Sequence, residues 1–260
     1  MLMAVVEGIE RTVSGTPFEG VARRIWSECS SIGNPYARQS LRYDRQTLEI
    51  MKRVLRTDSN CIDVGCHRGK MLASICKLAP QGRHFAFEPL PTFCERLRKR
   101  FPSVEIHDVA LSDHDGSASF CYVVDAPGLS GFRKLGHVPA AARVEEIAVR
   151  TEQLDNMIPR ELSIDFMKID VEGAQLQVFR GGVATITRNR PFVAFEHNML
   201  AEGYGATSDM IYDLLVEGCG LEISLLKDWL SAKPPLNRAT FSGHMGFHPG
   251  AHFYFLAHPR

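Results

Sequence analysis

Several features are missing from this sequence, and each absence narrows what the protein does. There is no excess of one charge: 30 lysines and arginines balance 30 aspartates and glutamates. Nothing therefore pulls the chain electrostatically towards nucleic acid or an anionic membrane surface. There is no apolar run long enough to cross a bilayer. The apolar residues 1–6 are ended by Glu7 and Glu10, and they lack the charged start and cleavage signal of a secretory leader. The seven cysteines are scattered, with no Cys-x-x-Cys pair. Cys61, Cys76 and Cys121 sit in apolar runs, which suits reduced core thiols in a cytoplasmic protein. The expected partners thus include neither nucleic acid nor a membrane interior. At 260 residues, 45% apolar and 23% charged, the chain fits one large α/β domain, alone or with a cap.

A missing glycine is equally informative. Cys61-Ile62-Asp63-Val64 is short, apolar and β-branched, and reads as a buried strand. Gly65 and Gly69 bracket a turn, and helical spacing resumes with Met71, Leu72, Ile75 and Leu78. Strand, glycine turn and helix make the first half of a nucleotide-binding βαβ unit. A dinucleotide fingerprint needs a second glycine two places after the first, so that the backbone can approach a pyrophosphate. Here that place holds His67, and the carboxylate of Asp63 would repel a pyrophosphate. An acid at a strand end instead suits a ligand with an ammonium group, such as the methionine part of S-adenosylmethionine. Asp63, Gly65, Cys66 and Gly69 are the first candidate cofactor-binding residues.

Residues 1–56 read as mostly helical, broken at 31–35. They are taken as a cap, either shaping the substrate pocket or simply packing, ahead of a catalytic domain over 57–260. Residues 83–88 alternate into a second strand closed by Pro89 and Pro91. Parallel sheets bind ligands outside the carboxyl ends of their strands, so Glu88 is assigned to the ribose hydroxyls. Its competing role is to cap the next helix. A third strand over 104–107 brings Asp108 and Val109 to the adenine position, and the basic run 96–100 reads as a solvated helix face. Further strands are expected over 117–124 and 146–151, with a loop near the substrate over 125–139.

The stretch from Ser163 to Gly173 holds another buried strand. Phe166, Lys168 and Asp170 share one of its faces. A lysine in an apolar strand must find a carboxylate or reach the cleft. Asp170, Glu172 and the later Glu196 are its natural partners, in a structural ion pair or a catalytic one. A strand over 192–196 ends in Glu196-His197-Asn198, where His197 is a candidate base because its ordinary pKa is near neutral. A helix over 208–217 and strands over 221–226 and 251–257 complete the pattern. His244, His248 and His252 recur every fourth residue, but Gly246, Pro249 and Gly250 favour a loop or lid over a metal-binding helix.

With these stretches in hand, the chain resembles the FkbM family of S-adenosylmethionine-dependent methyltransferases. The resemblance is carried by Asp63-Val64-Gly65-Cys66-His67-Arg68-Gly69, Phe87-Glu88-Pro89, the run from Val109 to Asp113, Glu196, and the run from Met167 to Ala174. It covers roughly residues 55–225. It implies a seven-stranded, Rossmann-like class I methyltransferase fold: a mostly parallel sheet with an antiparallel edge strand and helices on both faces. It also implies methyl transfer to oxygen on a sugar, glycan or other hydroxylated metabolite. Gln175 stands where the family commonly has glutamate, and His67-Arg68 replaces a more usual Asn-containing pair.

A sulfonium methyl is already activated, so the enzyme must mainly align the acceptor. A neutral hydroxyl usually needs a base. Asp170 or His197 is expected to take the proton, with Lys168 and Glu172 fixing the local charge. Asp170 also counts among the cofactor-binding residues. An Mg²⁺-assisted version would use Asp170, Glu196 and Asn198 as oxygen ligands, as catechol O-methyltransferases do at similar strand ends. Two other classes stay open on the sequence: a nicotinamide-dependent dehydrogenase, disfavoured by His67, and a non-catalytic binding domain retaining the fold.

Overall fold

The structure, a computed structural model, describes residues 35–134, 138, 140–244 and 252–260. Two compact units emerge, Met1–Gln46 and Thr47–Arg260. Most of the expected cap, with its break before Pro35, lies outside the described residues, as do His248 and the start of the last expected strand. The first described element is the 20-residue helix α1 (Pro35–Val54).

The second unit is built on β1 (Cys61–Val64), buried at all four positions. A strand hydrogen-bonded on both edges and covered on both faces reads as a continuous apolar run. After α2 (Lys70–Leu78) comes β2 (His84–Phe87), then α3 (Pro91–Arg100) and β3 (Glu105–His107). Much later the chain returns with β7 (Phe166–Ile169), α4 (Gln175–Gly181), α5 (Val183–Asn189), β8 (Phe192–Glu196) and α6 (Ser208–Tyr212). It finishes with β9 (Glu222–Leu225) and β10 (Tyr254–His258). The seven strands form one sheet in the order β3-β2-β1-β7-β8-β10-β9. All run in the same direction except β10, which lies antiparallel between β8 and the outermost β9. The expected mostly parallel sheet, with its antiparallel strand towards one edge, is therefore present.

Alternation along the strands shows how both faces are covered. Phe85 and Phe87 pack with Leu176, Phe179, Ile186 and Ile211 from α4, α5 and α6. Ala86, between them, packs with Leu72, Cys94 and Leu97 from α2 and α3. The six described cysteines form no disulfide; of the three expected in the core, Cys61 is buried, whereas Cys76 and Cys121 are only partly buried. No described helix is long and apolar enough to cross a membrane.

Between β3 and β7 lies an excursion with its own sheet, β4 (Ala110–Leu111), β5 (Gly116–Val123) and β6 (Val144–Glu152), ordered β4-β6-β5. The two longer strands were expected, but their association into a separate sheet was not. They form an antiparallel hairpin over eight residue pairs. Two helices also differ from expectation. Gly181 ends α4 but α5 starts at once at Val183, and α6 passes into a wider turn over Asp213–Gly218.

Candidate active site

From β1 the chain moves outward through β2 to β3, and it later resumes on the other edge of β1 with β7. Connections on the two sides diverge at this point, which leaves a crevice outside the carboxyl ends of β1 and β7. The register places Asp63 opposite Lys168. Gly65 then takes φ +69°, and a Cβ there would stand 1.9 Å from the Asp170 carbonyl oxygen. Only glycine lets the turn lie this close to the end of β7. The next residues wrap towards β2, where the His67 amide donates to Glu88 Oε2 at 2.9 Å. The Leu90 amide donates to Glu88 Oε1 at 3.0 Å, just before α3 begins at Pro91. Glu88 thus serves the helix start and the loop together. Each of its oxygens keeps a lone pair for a further donor.

Lys168 is the positive centre of the crevice floor. Its Nζ donates to the Gly65 carbonyl at 3.0 Å and lies 3.6 Å from Asp63 Oδ1 and 3.5 Å from Asp170 Oδ2. Burial opposes its charge, but Asp170 and Asp63 more than offset this and hold the ammonium above its ordinary range. Burial raises Asp63, with Lys168 pulling it back. Asp63 is fully buried, and neither of its oxygens has a hydrogen-bond partner. The sequence reading gave this carboxylate a ligand's ammonium; in the structure the cation facing it is Lys168. Asp170 is the more open of the two, its side chain 34% exposed. Burial also pushes Glu88 up to about 7, against the pull of the Leu90 and His67 amides.

Around Asp170 stand Glu172 and Glu196, with one carboxylate oxygen from each of the three within 4.8 Å of the others. Glu172 adopts φ +49°, a conformation uncommon outside glycine and one often found at functional positions. Burial first, then Asp170, raises Glu172. Burial, Asp170 and Glu172 raise Glu196, whose Oε2 is buried without a partner.

The remaining candidates lie elsewhere. His197 is fully buried, stacked on Phe241 with centroids 5.4 Å apart, and its Nε2 meets Ser208 Oγ at 2.9 Å. Burial lowers it to about 4, so it is a neutral core histidine on the face opposite Glu196. The Asn198 side chain caps the following turn, accepting from the Leu200 amide at 2.8 Å. Glu172, not Asn198, completes the carboxylate group. Asp108 is exposed and paired with Arg98 at 3.1 Å, while neighbouring Val109 is buried. Cys66 is buried in the turn. His244 and His252 meet edge-on with centroids 5.2 Å apart.

The sequence reading passed over Tyr204. Its ring packs on Gly173 and its hydroxyl approaches Gly131, in the chain that follows β5. No short-range pattern marks it, because it ends a short 3₁₀ helix, Met199–Tyr204, after β8.

Comparison with known proteins agrees with this architecture. Residues 63–223 match the model of the methyltransferase FkbM domain. The chain is 29% identical over 175 residues to the 2-O-methyltransferase NoeI of Sinorhizobium fredii, covering 61% of this chain and 70% of that protein. It is 28% identical over 219 residues to the AMB antimetabolite synthetase AmbE of Pseudomonas aeruginosa, covering 68% of this chain but only 10% of that protein. Among solved structures, the methyltransferase FkbM of Methylobacillus flagellatus aligns with a TM-score of 0.50 at 15% identity, over 82% of this chain and 47% of that one. The matched span opens at Asp63, takes in Gly65, Glu88, Lys168, Asp170, Glu172 and Glu196, and covers more than half the sequence: the chain belongs to the FkbM family of S-adenosylmethionine-dependent methyltransferases.

Proposed function

We propose that the protein transfers the methyl group of S-adenosylmethionine to a hydroxyl oxygen of a sugar or other hydroxylated small molecule. The observation that carries this reading is the crevice between β1 and β7, where Lys168, Asp170, Glu172 and Glu196 converge beside the glycine turn. The O-methyltransferase name of the relative in Sinorhizobium fredii supports oxygen as the acceptor.

The donor brings a methyl group already activated on sulfonium, so the residues act by position and charge. Glu88 takes the ribose hydroxyls. The turn from Gly65 to Gly69 supplies close backbone, and Asp170, open to the crevice, receives the amino-acid ammonium. Asp108 and Val109 stand at the adenine end. Lys168 ties the turn to β7 through the Gly65 carbonyl and keeps Asp63 and Asp170 from repelling each other. Glu172 accepts the proton of the acceptor hydroxyl. It suits this task because burial makes its carboxylate more basic, whereas Asp170 is engaged by the Lys168 ammonium at 3.5 Å. His197, enclosed in the core, is out of reach.

The experiment is calorimetry with S-adenosylmethionine on the wild type and on Glu88→Gln. The substitution keeps the shape but gives up a charged acceptor and turns an N–H towards a backbone N–H. Affinity is expected to fall by about 1.5–3 kcal/mol, roughly 10- to 150-fold in Kd. A wild type that binds NAD and not S-adenosylmethionine would overturn the reading.

A second reading concerns a divalent cation. Three carboxylates within 4.8 Å of one another, one with a buried unpartnered oxygen, form the hard oxygen set that suits Mg²⁺. Asp170, Glu172 and Glu196 would hold it, and it would add Lewis acidity near the acceptor oxygen. Titration with Mn²⁺ followed by electron paramagnetic resonance is expected to show one site that Glu196→Gln removes. Absence of any bound signal, with full activity after dialysis against a chelator, would eliminate the cation.

A further inference from the structure

The β5–β6 hairpin does more than extend the fold. Beyond β5 the chain forms a strap that includes a single turn, Pro127–Leu129. The strap is fastened back onto β5 by two backbone bonds, Cys121 amide to Gly131 carbonyl at 2.8 Å and Gly131 amide to Cys121 carbonyl at 3.2 Å. At Gly128 it approaches His67 of the cofactor turn, whose Cε1 lies 4.0 Å from where a Cβ would stand. At Gly131 it approaches Tyr204 and Glu172: a Cβ there would meet the tyrosine hydroxyl at 3.0 Å and the glutamate Cβ at 3.7 Å. Arg133 closes the far end, donating to the Gly203 carbonyl at 2.8 Å and lying over the Tyr204 ring. The strap therefore runs from the donor's turn to the proposed base. Gly128 and Gly131 are three residues apart, so these contacts are separated by at most about 11 Å of chain.

Two polar atoms beneath the strap are buried and have no hydrogen-bond partner, His67 Nε2 and Tyr204 Oη. The tyrosine hydroxyl lies towards the Arg133 amide without closing a bond to it. Buried polar groups are normally satisfied, and each one left open costs about 1–3 kcal/mol, so an orphan beside an active site marks where a ligand atom belongs. His67 is packed on Phe93 with centroids 4.6 Å apart, and its backbone sits at φ +47°. The ring is thus held in one place. Charge narrows the ligand further. Among the described residues, Asp63, Glu88, Asp170, Glu172 and Glu196 surround the ammonium of Lys168, Arg68 adds a second positive charge beside His67, and the Arg133 guanidinium is occupied by Gly203 and the Tyr204 ring. A site with this balance disfavours an anion.

We propose that Tyr204, His67 and the strap form the acceptor subsite, and that it takes a neutral, polyhydroxylated small molecule whose hydroxyls engage Tyr204 Oη and His67 Nε2 while another lies at Glu172. This rests on the methyl-transfer reading above. It adds the residues that choose the acceptor and the charge class they choose.

The test measures S-adenosylmethionine binding by calorimetry and S-adenosylhomocysteine release with a panel of methyl glycosides and their 6-phosphates. The wild type is expected to methylate a neutral glycoside at least about tenfold more efficiently than its phosphate. Tyr204→Phe is expected to raise KM for the glycoside about tenfold, the loss of one buried hydrogen bond, while the Kd for the donor stays unchanged. His67→Asn, which tolerates the left-handed backbone, should raise the same KM. Gly131→Ala, which pushes a methyl group against the tyrosine hydroxyl, should do so as well. A wild type that binds the donor but prefers the phosphates, or methylates no glycoside, overturns the proposal. So does a Tyr204→Phe enzyme with unchanged KM. Failure of the donor to bind at all is a separate result that removes the methyl-transfer reading itself.

Discussion

Replacing Lys168 by methionine is expected to destabilise the protein by about 3–5 kcal/mol, because it leaves Asp63 buried without its counter-ion. Asp63 is fully buried, and Lys168 at 3.6 Å is the cation beside it. The loss carries a pH signature. In the wild type the lysine pKa is raised, so its contribution is complete below the ordinary lysine range and is lost only in strong alkali. In the variant the carboxyl of Asp63, already raised by burial, loses the group that pulled it back. Its folded pKa then exceeds the unfolded value of about 3.9 by more than before, so folding is favoured while it is protonated and weakened as pH rises. The deficit relative to wild type should therefore be smallest in acid and grow towards neutrality. Urea melts across that range measure it. The double variant Asp63→Asn/Lys168→Met is expected to recover most of the loss, since both members of the pair are then gone. A deficit independent of pH, or no recovery in the double variant, would show that the pair is not the cause.

Glu172→Gln is expected to lower kcat by about 10²–10⁴-fold, the usual contribution of a positioned base, with donor affinity unchanged. The wild-type rate should rise with pH until Glu172 and Glu196 have lost their shared proton. The midpoint should lie above the ordinary carboxylate range, as the raised Glu172 and Glu196 require. That midpoint belongs to the group and not to one residue. In Glu172→Gln the rise should flatten. His197→Gln provides the contrast. That ring is walled in by Phe241 and Phe255, so its replacement should lower thermal stability and leave kcat per folded molecule nearly intact. The opposite pattern, with rate lost at His197 and kept at Glu172, would return the base to the histidine.

These contrasts show which parts of the site can be read from the sequence. Asp63, Gly65 and Glu88 are legible because strand, turn and strand-end acid are local patterns. Lys168 is legible because a buried lysine demands partners, and the three named for it, Asp170, Glu172 and Glu196, stand in its cluster. The order of Glu196 and His197 is different. Adjacent residues at a strand end project to opposite faces, and nothing local says which face is the rim. The structure turns Glu196 to the crevice and His197 to the core. The excursion between β3 and β7 was visible only as extra strands. Its pairing into a second sheet joins residues more than thirty positions apart, Gly116 with Thr151, and such register is set by packing rather than by neighbours in the chain. Tyr204 was invisible for the same reason, since its importance comes from a strap some seventy residues earlier.

The second sheet shares no strand with the first. In the proposed arrangement the donor is gripped by turns at the ends of β1, β2 and β7, whereas the strap hangs from the β5–β6 ribbon. The two halves of the reaction are thus mounted on separate scaffolds. A hairpin of another length or sequence could be exchanged like a cassette, redirecting the methyl group to new recipients while the chemistry of its delivery stays fixed.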